Sequence, residues 1–393
     1  SVLELSSEIS EEHVAEVFVR INSQGKTLNQ ADFILTLMSV FWENGRREIE
    51  DFCRDCRIPA KSKASPFNYI IEPDPDQILR VSVGLAFRRA RLQHVYNILR
   101  GKDLEKGTFS KKHRDDQFNF LQKAQTKALD IQNWHEFLKA INMAGYYRQD
   151  LISSKITLLY SYIFFLIGLV DFKMDIYELK KLIARWFFMS SLTGRYTSSP
   201  ESSMEMDLAN LRGVKTAKDF QNRLDSIFAS TFTKDYWAVN LPLDLATSSS
   251  TSPSLFAYYA SLNVLGAYGL FSKMKISELL QAGLKSKKAA LEKHHLFPSA
   301  WLQKNGLKDR REINQIANYA LVEWSDNISI SDTPPSKYVH HYLKRLNPGE
   351  KQKMYYWHAL PDGWETMDFR DFLTKRRELM AMVIKDAFEK ISK

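Results

Sequence analysis

Apolar residues recur at helical spacing along most of this chain. In residues 11–22, Val14, Val17, Phe18 and Ile21 share one face, and Asn22 to Gly25 break the run. A second helix is expected after Thr27-Leu28-Asn29, with Asn29 as N-cap and Phe33, Ile34, Leu37, Met38 and Phe41 along one side. Together they predict an αα-hairpin. Prolines at 59, 66, 73 and 75 make 58–77 irregular, and an amphipathic helix is expected from Ile78 to about Leu92. Helical signal is then nearly continuous from Gln117 to Phe232, over 117–143, 151–170, 175–193 and 202–228. The longest apolar run, Ile156 to Val170, lies between Lys155 and Asp171. It falls short of the roughly 20 residues that span a bilayer, so it reads as a buried core helix and no membrane partner is expected. Thr247 to Ser254 has linker-like composition and fits either a domain boundary or a polar loop. The last helix, from Asp368 onward, directs Phe369, Phe372, Leu373, Met380, Val383, Ala387 and Ile391 to a core, which leaves Lys375, Arg376 and Arg377 largely outside.

Composition sharpens this picture. A chain of 393 residues has room for two or three domains, and 15 glycines with 12 prolines are too few for a turn-rich all-β protein. The fold class expected is mainly α. Lys and Arg number 55 against 46 Asp and Glu, a net charge of +9 that permits a polyanionic partner without requiring one. Cys53 and Cys56 form one Cys-x-x-Cys with no second pair, which excludes a four-thiolate zinc site within one chain and suits reduced thiols in a cytoplasmic protein. No charged-then-apolar leader opens the chain, and its first residue is Ser1, which suits an excised or processed portion of something longer.

Between Leu291 and Tyr338 the pattern changes. Leu-Glu-Lys-His-His-Leu-Phe-Pro at 291–298 reads as a strand ended by Pro298, and Asn318 opens a second apolar strand, Tyr319 to Trp324. Pro334 or Pro335 suits the first turn of a following helix, so the segment predicts a ββα unit. Because side chains alternate along a strand, His294 and His295 face opposite ways and must divide the labour.

This segment resembles the HNH nuclease motif, with His295-Leu296-Phe297-Pro298 as its first element, Asn318 its second and Asn327 its third. The resemblance implies a helical scaffold carrying an inserted ββα-metal nuclease unit. It implies that His294, preceding the catalytic histidine, and Asn327 bind the metal. The chemistry agrees: phosphodiester hydrolysis needs a base for the attacking water and a cation for developing charge. His295 suits the base, and one divalent ion per site, Mg2+ or Mn2+, supplies the cation. With two neutral protein ligands, metal affinity without DNA is expected to be weak. Asn318 is expected to orient the loop between the strands through hydrogen bonds to backbone. His340-His341 lacks that context and reads as structural, and Asp326 and Lys337 read as solvated or capping residues.

Beyond the motif, the chain resembles the GmrSD family of modification-dependent type IV restriction endonucleases. The resemblance rests on Glu-Val-Phe-Val-Arg-Ile-Asn-Ser-Gln-Gly-Lys-Thr-Leu-Asn at 16–29 and, less specifically, on Ser-Leu-Thr-Gly-Arg-Tyr-Thr at 191–197 and the closing Phe-Leu-Thr-Lys-Arg-Arg-Glu-Leu-Met. It implies DNA, foreign or modified, as substrate in a bacterial defence role. The family's Asp-Gly-Gln-Gln-Arg nucleotide signature is missing, so nucleotide hydrolysis is not expected and an upstream nucleotide-binding portion would be absent from this chain. Gly25-Lys26-Thr27 reads as a turn, because Arg20 stands where a phosphate loop needs glycine. Arg20 and Asn22 fit either residual pocket residues or helix-end packing. The division expected is 1–115 as the remnant of the nucleotide-associated domain, 116–280 helical, 281–345 nuclease unit and 346–393 a closing helical segment.

Two rival readings stand beside this one. Asp74 with Glu178-x-Lys180 echoes another restriction fold, but the elements are far apart and Glu178 falls in a helical pattern. A non-catalytic DNA-binding or scaffold protein with a degenerate HNH unit accounts equally well for the 20 Lys+Arg against 14 Asp+Glu in residues 281–393. One active site per chain cuts one strand per event, so cutting both strands calls for two events or a homodimer.

Overall fold

Helices form over most of the stretches where apolar spacing predicts them, and the chain is mainly α with a single two-stranded sheet among the described residues. The computed structural model describes residues 30–60, 62–102, 108–283 and 291–393. The expected helix at 11–22, the Asn29 cap, Arg20, Asn22 and the Gly25-Lys26-Thr27 turn lie outside them.

Contacts divide the chain into two units, each assembled from separated segments. The first comprises 1–139, 154–180 and 195–223. In it, α1 (Gln30–Phe41) and α2 (Glu43–Asp55) precede an irregular stretch to Pro75, where α3 (Pro75–Phe87) begins with the Asp74 N–H donating to Gln77 Oε1 at 3.0 Å. This helix ends before the expected Leu92, because Arg88 adopts a left-handed φ of 54° and α4 (Leu92–Leu99) starts afresh. The signal over 117–143 resolves into α5 (Lys111–Ala128) and α6 (Ile131–Met143), with Asp130 accepting from the Asn133 N–H at 2.8 Å. The apolar run becomes α7 (Lys155–Leu166) and a π-turn to Asp171, buried from Thr157 through Gly168. It packs against α3, where a Cβ on Gly84 would stand 2.5 Å from Ile163 Cδ1, so a larger residue there would make the Ile163 side chain shift. No described helix is long and apolar enough to cross a membrane.

After α8 (Ile176–Leu192), the expected 202–228 helix is two, α9 (Pro200–Ala209) and α10 (Ala217–Thr231), parted at Gly213 with φ +81°. Arg195 grips both carboxylate oxygens of buried Asp207 at 2.7 and 2.5 Å, and the Tyr196 hydroxyl donates to the same group at 2.6 Å. These bonds give the 191–197 stretch a packing role. Asp74 pairs with Arg57 and Lys180 with Glu136. Cys53 and Cys56 are buried, outside any disulfide, and burial pushes the Cys53 thiol up to about 12.

The second unit comprises 140–153, 181–194 and 224–393. Thr247–Ser254 is a packed polar loop within it: Thr247 O accepts from the Ile316 N–H at 2.8 Å, and Ser254 Oγ donates to Asp244 O at 3.2 Å. The expected boundary at 115/116 falls inside α5, where continuous backbone hydrogen bonding leaves no linker. In this unit α11 (Pro253–Leu265) and α12 (Ile276–Gly283) precede β1 (Leu291–His295), followed by α13 (Ser299–Lys304), a short helical turn (Arg310–Ile313) and β2 (Tyr319–Glu323). The strands are antiparallel, with His294 opposite Ala320 and His295 opposite Tyr319. The second strand stops one residue short of the expected Trp324, which opens α14 (Trp324–Ile330) directly, ahead of α15 (Pro335–Leu343). The other edge of β2 is met by Leu270, whose N–H donates to Leu321 O at 2.8 Å.

The chain closes with α16 (Pro348–Trp357) and α17 (Phe369–Ile391), and α17 packs on α11. Asp368 caps α17, accepting from the Arg370 N–H at 2.8 Å, and each of the seven apolar residues assigned to its core face is buried. Arg376 departs from the expectation of an outside position: it is 0% exposed. Its guanidinium donates to the carbonyls of His358, Ala317 and Tyr319 at 3.1, 2.6 and 2.8 Å. A planar fork of N–H donors can be buried when main-chain oxygens receive them.

Candidate functional site

The β1–β2 hairpin carries His294, His295 and Asn318, and α14, which follows at once, carries Asn327 on its backbone. His295 closes β1 and half-buries its ring against its cross-strand partner Tyr319, ring centroids 4.4 Å apart. Its Nε2 lies 3.0 Å from Asn314 Oδ1, an oxygen that also accepts from the Tyr319 hydroxyl at 3.3 Å. An amide oxygen only accepts, so Nε2 carries the hydrogen and the neutral ring keeps its basic lone pair on Nδ1. Burial pulls the His295 pKa below its ordinary value, partly opposed by the Asn314 hydrogen bond, which leaves the imidazole neutral near pH 7.

His294, one residue earlier, emerges on the opposite side. It is 4% exposed and meets the Tyr338 ring edge-on at 5.9 Å. Tyr338 in turn donates from its hydroxyl to Leu296 O at 2.7 Å, tying α15 to the end of β1. His294 and His295 nonetheless both border an open cleft of about 400 Å³, shared with Lys293, Pro298, Ser299 and Asp332.

Asn318 lies behind the cleft, 0% exposed. Its Oδ1 accepts from the Phe297 N–H at 2.9 Å, and its Nδ2 donates to the carbonyls of Phe297 and Ile313, both at 3.0 Å. The main chain adds Leu296 N–H to Asn318 O at 2.8 Å. Asn318 therefore fixes the exit of β1 to the entrance of β2 and touches no open space. Arg376 holds the carbonyls on either side of it.

Asn327 stands on α14, and its side chain lies outside the described residues. Asp326 pairs with Arg345 at 3.3 Å, Lys337 is exposed on α15, and His340 and His341 are exposed on the same helix. Reading the sequence missed Asn314, Tyr338, Asp332 and Arg376. Asn314 lies in the stretch Ile-Asn-Gln-Ile-Ala-Asn, irregular backbone where no periodicity tells which side chain turns toward the histidine.

Among the described residues no group of three or more His, Cys, Asp or Glu side chains forms a ligand cluster. Both histidines line the cleft, His294 all but buried, and the Asp332 carboxylate at its edge is paired with Lys304 at 2.8 Å. Such a donor set does not suit a closed structural site. No protein-family model matches this sequence, and no curated protein is significantly similar to it.

Proposed function

We propose that this protein is a metal-dependent endonuclease that hydrolyses DNA phosphodiester bonds, with an HNH-type ββα unit and a role in restricting foreign or modified DNA. One observation carries the reading. A neutral imidazole, its tautomer fixed by Asn314, borders an open cleft at the end of a hairpin that runs directly into the helix bearing Asn327. The restriction role rests on the resemblance to the GmrSD family.

In this mechanism His295 Nδ1 takes the proton from the attacking water, while the Nε2–H bond to Asn314 holds the ring at its angle. The resulting imidazolium keeps that bond, so no reorganisation accompanies the proton transfer. His294 and Asn327 would hold one Mg2+ or Mn2+, which supplies Lewis-acid charge to the phosphate. Asn318 acts as a positioning residue through the backbone of Phe297 and Ile313.

The test is cleavage of supercoiled plasmid with Mg2+ or Mn2+. Nicking is expected, abolished by EDTA and reduced about 10²- to 10⁴-fold by His295→Ala. DNA binding without cleavage in either metal, or equal rates for wild type and His295→Ala, would replace this reading with that of a non-catalytic DNA-binding scaffold. Comparing modified with unmodified phage DNA then reads out the substrate preference.

A further inference from the structure

A second cavity, of about 330 Å³, opens between the 268–273 turn and α16, and its chemistry differs from that of the histidine cleft. Tyr268 and Trp357 form one wall, ring centroids 5.3 Å apart and inclined at 60°, both rings partly open to solvent. The buried thioether of Met354 adds to the apolar lining. At the rim stand Lys273, Lys353 and Glu350, two cations against one anion. Glu350 is already engaged: its carboxylate accepts from the Asn347 N–H at 2.9 Å and lies 3.4 Å from Lys273 Nζ. Lys353 has no ion-pair partner among the described residues, so the rim presents uncompensated positive charge beside the aromatic wall.

The walls are anchored from behind. The Tyr268 carbonyl accepts from buried His358 Nε2 at 2.9 Å, and the Trp357 carbonyl from the Tyr258 hydroxyl at 2.9 Å. A preformed pocket loses little freedom on binding. Flat aromatic faces with adjoining ammonium groups match a ligand that joins a planar heterocycle to an anion. The volume sits at the small end of the roughly 300–1,000 Å³ usual for ligand sites, suiting one such unit rather than two.

We infer that this cavity is a mononucleotide site, in which the base stacks on Trp357 and meets the inclined Tyr268 ring at its edge, and the phosphate meets Lys353 and Lys273. The inference stands apart from the nuclease reading and uses none of its residues. Its ligand is either a free nucleotide or one nucleotide of a single strand, and the test separates the two.

The full chain is titrated by calorimetry with adenosine 5′-monophosphate, with adenosine, and with an eight-residue oligothymidylate, in wild type, Trp357→Leu, Lys353→Glu and His295→Ala. Wild type and His295→Ala are expected to bind alike. Trp357→Leu should weaken binding of every probe about tenfold or more. Lys353→Glu, an exposed change expected to leave the melting temperature intact, should weaken the two phosphate-bearing probes and spare adenosine. Tighter binding of the oligomer assigns the site to a strand, and tighter binding of the monophosphate assigns it to a free nucleotide. If no probe binds at millimolar concentration, or if Lys353→Glu and wild type bind the monophosphate equally, the inference is wrong.

Discussion

At His295 two opposed influences meet. Burial favours the neutral ring, the Asn314 amide oxygen favours the charged one, and the first prevails, so the pKa falls below the ordinary value near 6.5. A general base works only when deprotonated. Cleavage should therefore rise with pH on an acid limb centred below 6.5, read from kcat/KM against pH. Asn314→Asp sets a carboxylate against Nε2 and should move that limb up by about one pH unit or more. Asn314→Ala removes the orienting bond and should cost about tenfold in rate, a fraction of what a general base contributes. An unmoved limb in Asn314→Asp would show that this hydrogen bond does not reach the reacting imidazole. A merely structural asparagine would lower stability in both variants and leave the pH profile alone.

Among the elements, the hairpin depends on its turn more than on its own short ladder. Each strand has five residues, and two such strands are marginal in water without further packing. The hairpin is held by Asn318 from within, Arg376 from α17, Tyr338 from α15 and Leu270 along the free edge of β2. Asn318→Ala strands one buried donor and two buried acceptors, each costing about 1–3 kcal/mol if left unmet. With partial relaxation the expected loss is about 2–4 kcal/mol in urea unfolding. A loss below about 0.5 kcal/mol, the size of a neutral surface change, would mean that Asn318 does not hold the strands together. Trp324 adds a lesson of its own. An apolar aromatic continuing a strand pattern extended the expected strand, yet the hydrogen bonding switches to helical at that residue, and Asn327 thereby comes to stand on a helix.

For the molecule as a whole, one ionisable group whose burial links stability to pH is His358. It is 0% exposed, donates from Nε2 to Tyr268 O, and burial pushes its pKa down to about 4. The unfolded chain takes up its proton near pH 6.5, whereas the folded one resists until about 4. Stability from this group is therefore complete above about 6.5 and is lost as pH falls toward 4, by about 3 kcal/mol in total. Urea unfolding at pH 7 and pH 4.5 should differ accordingly, after subtracting the pH dependence of His358→Gln. If the variant keeps the same slope as wild type, the acid sensitivity originates elsewhere.

Periodicity and the low glycine and proline content foretold the mainly α class, the unbroken apolar run a core helix, buried from Thr157 through Gly168, and periodicity the core face of the last helix, because an apolar stripe has to be covered whichever neighbour covers it. The motif spacing likewise foretold two strands meeting near His295 and Asn318, since proline and asparagine restrict the local backbone. Packing decided the rest. Arg376 reads as an exposed cation in any window of sequence, and three carbonyls from distant positions make its burial tolerable. Asn314 becomes the partner of His295 only because a chain reversal 19 residues long returns it there. The two units draw on separated segments because contact between helices depends on which faces meet in space, and no local pattern encodes that pairing.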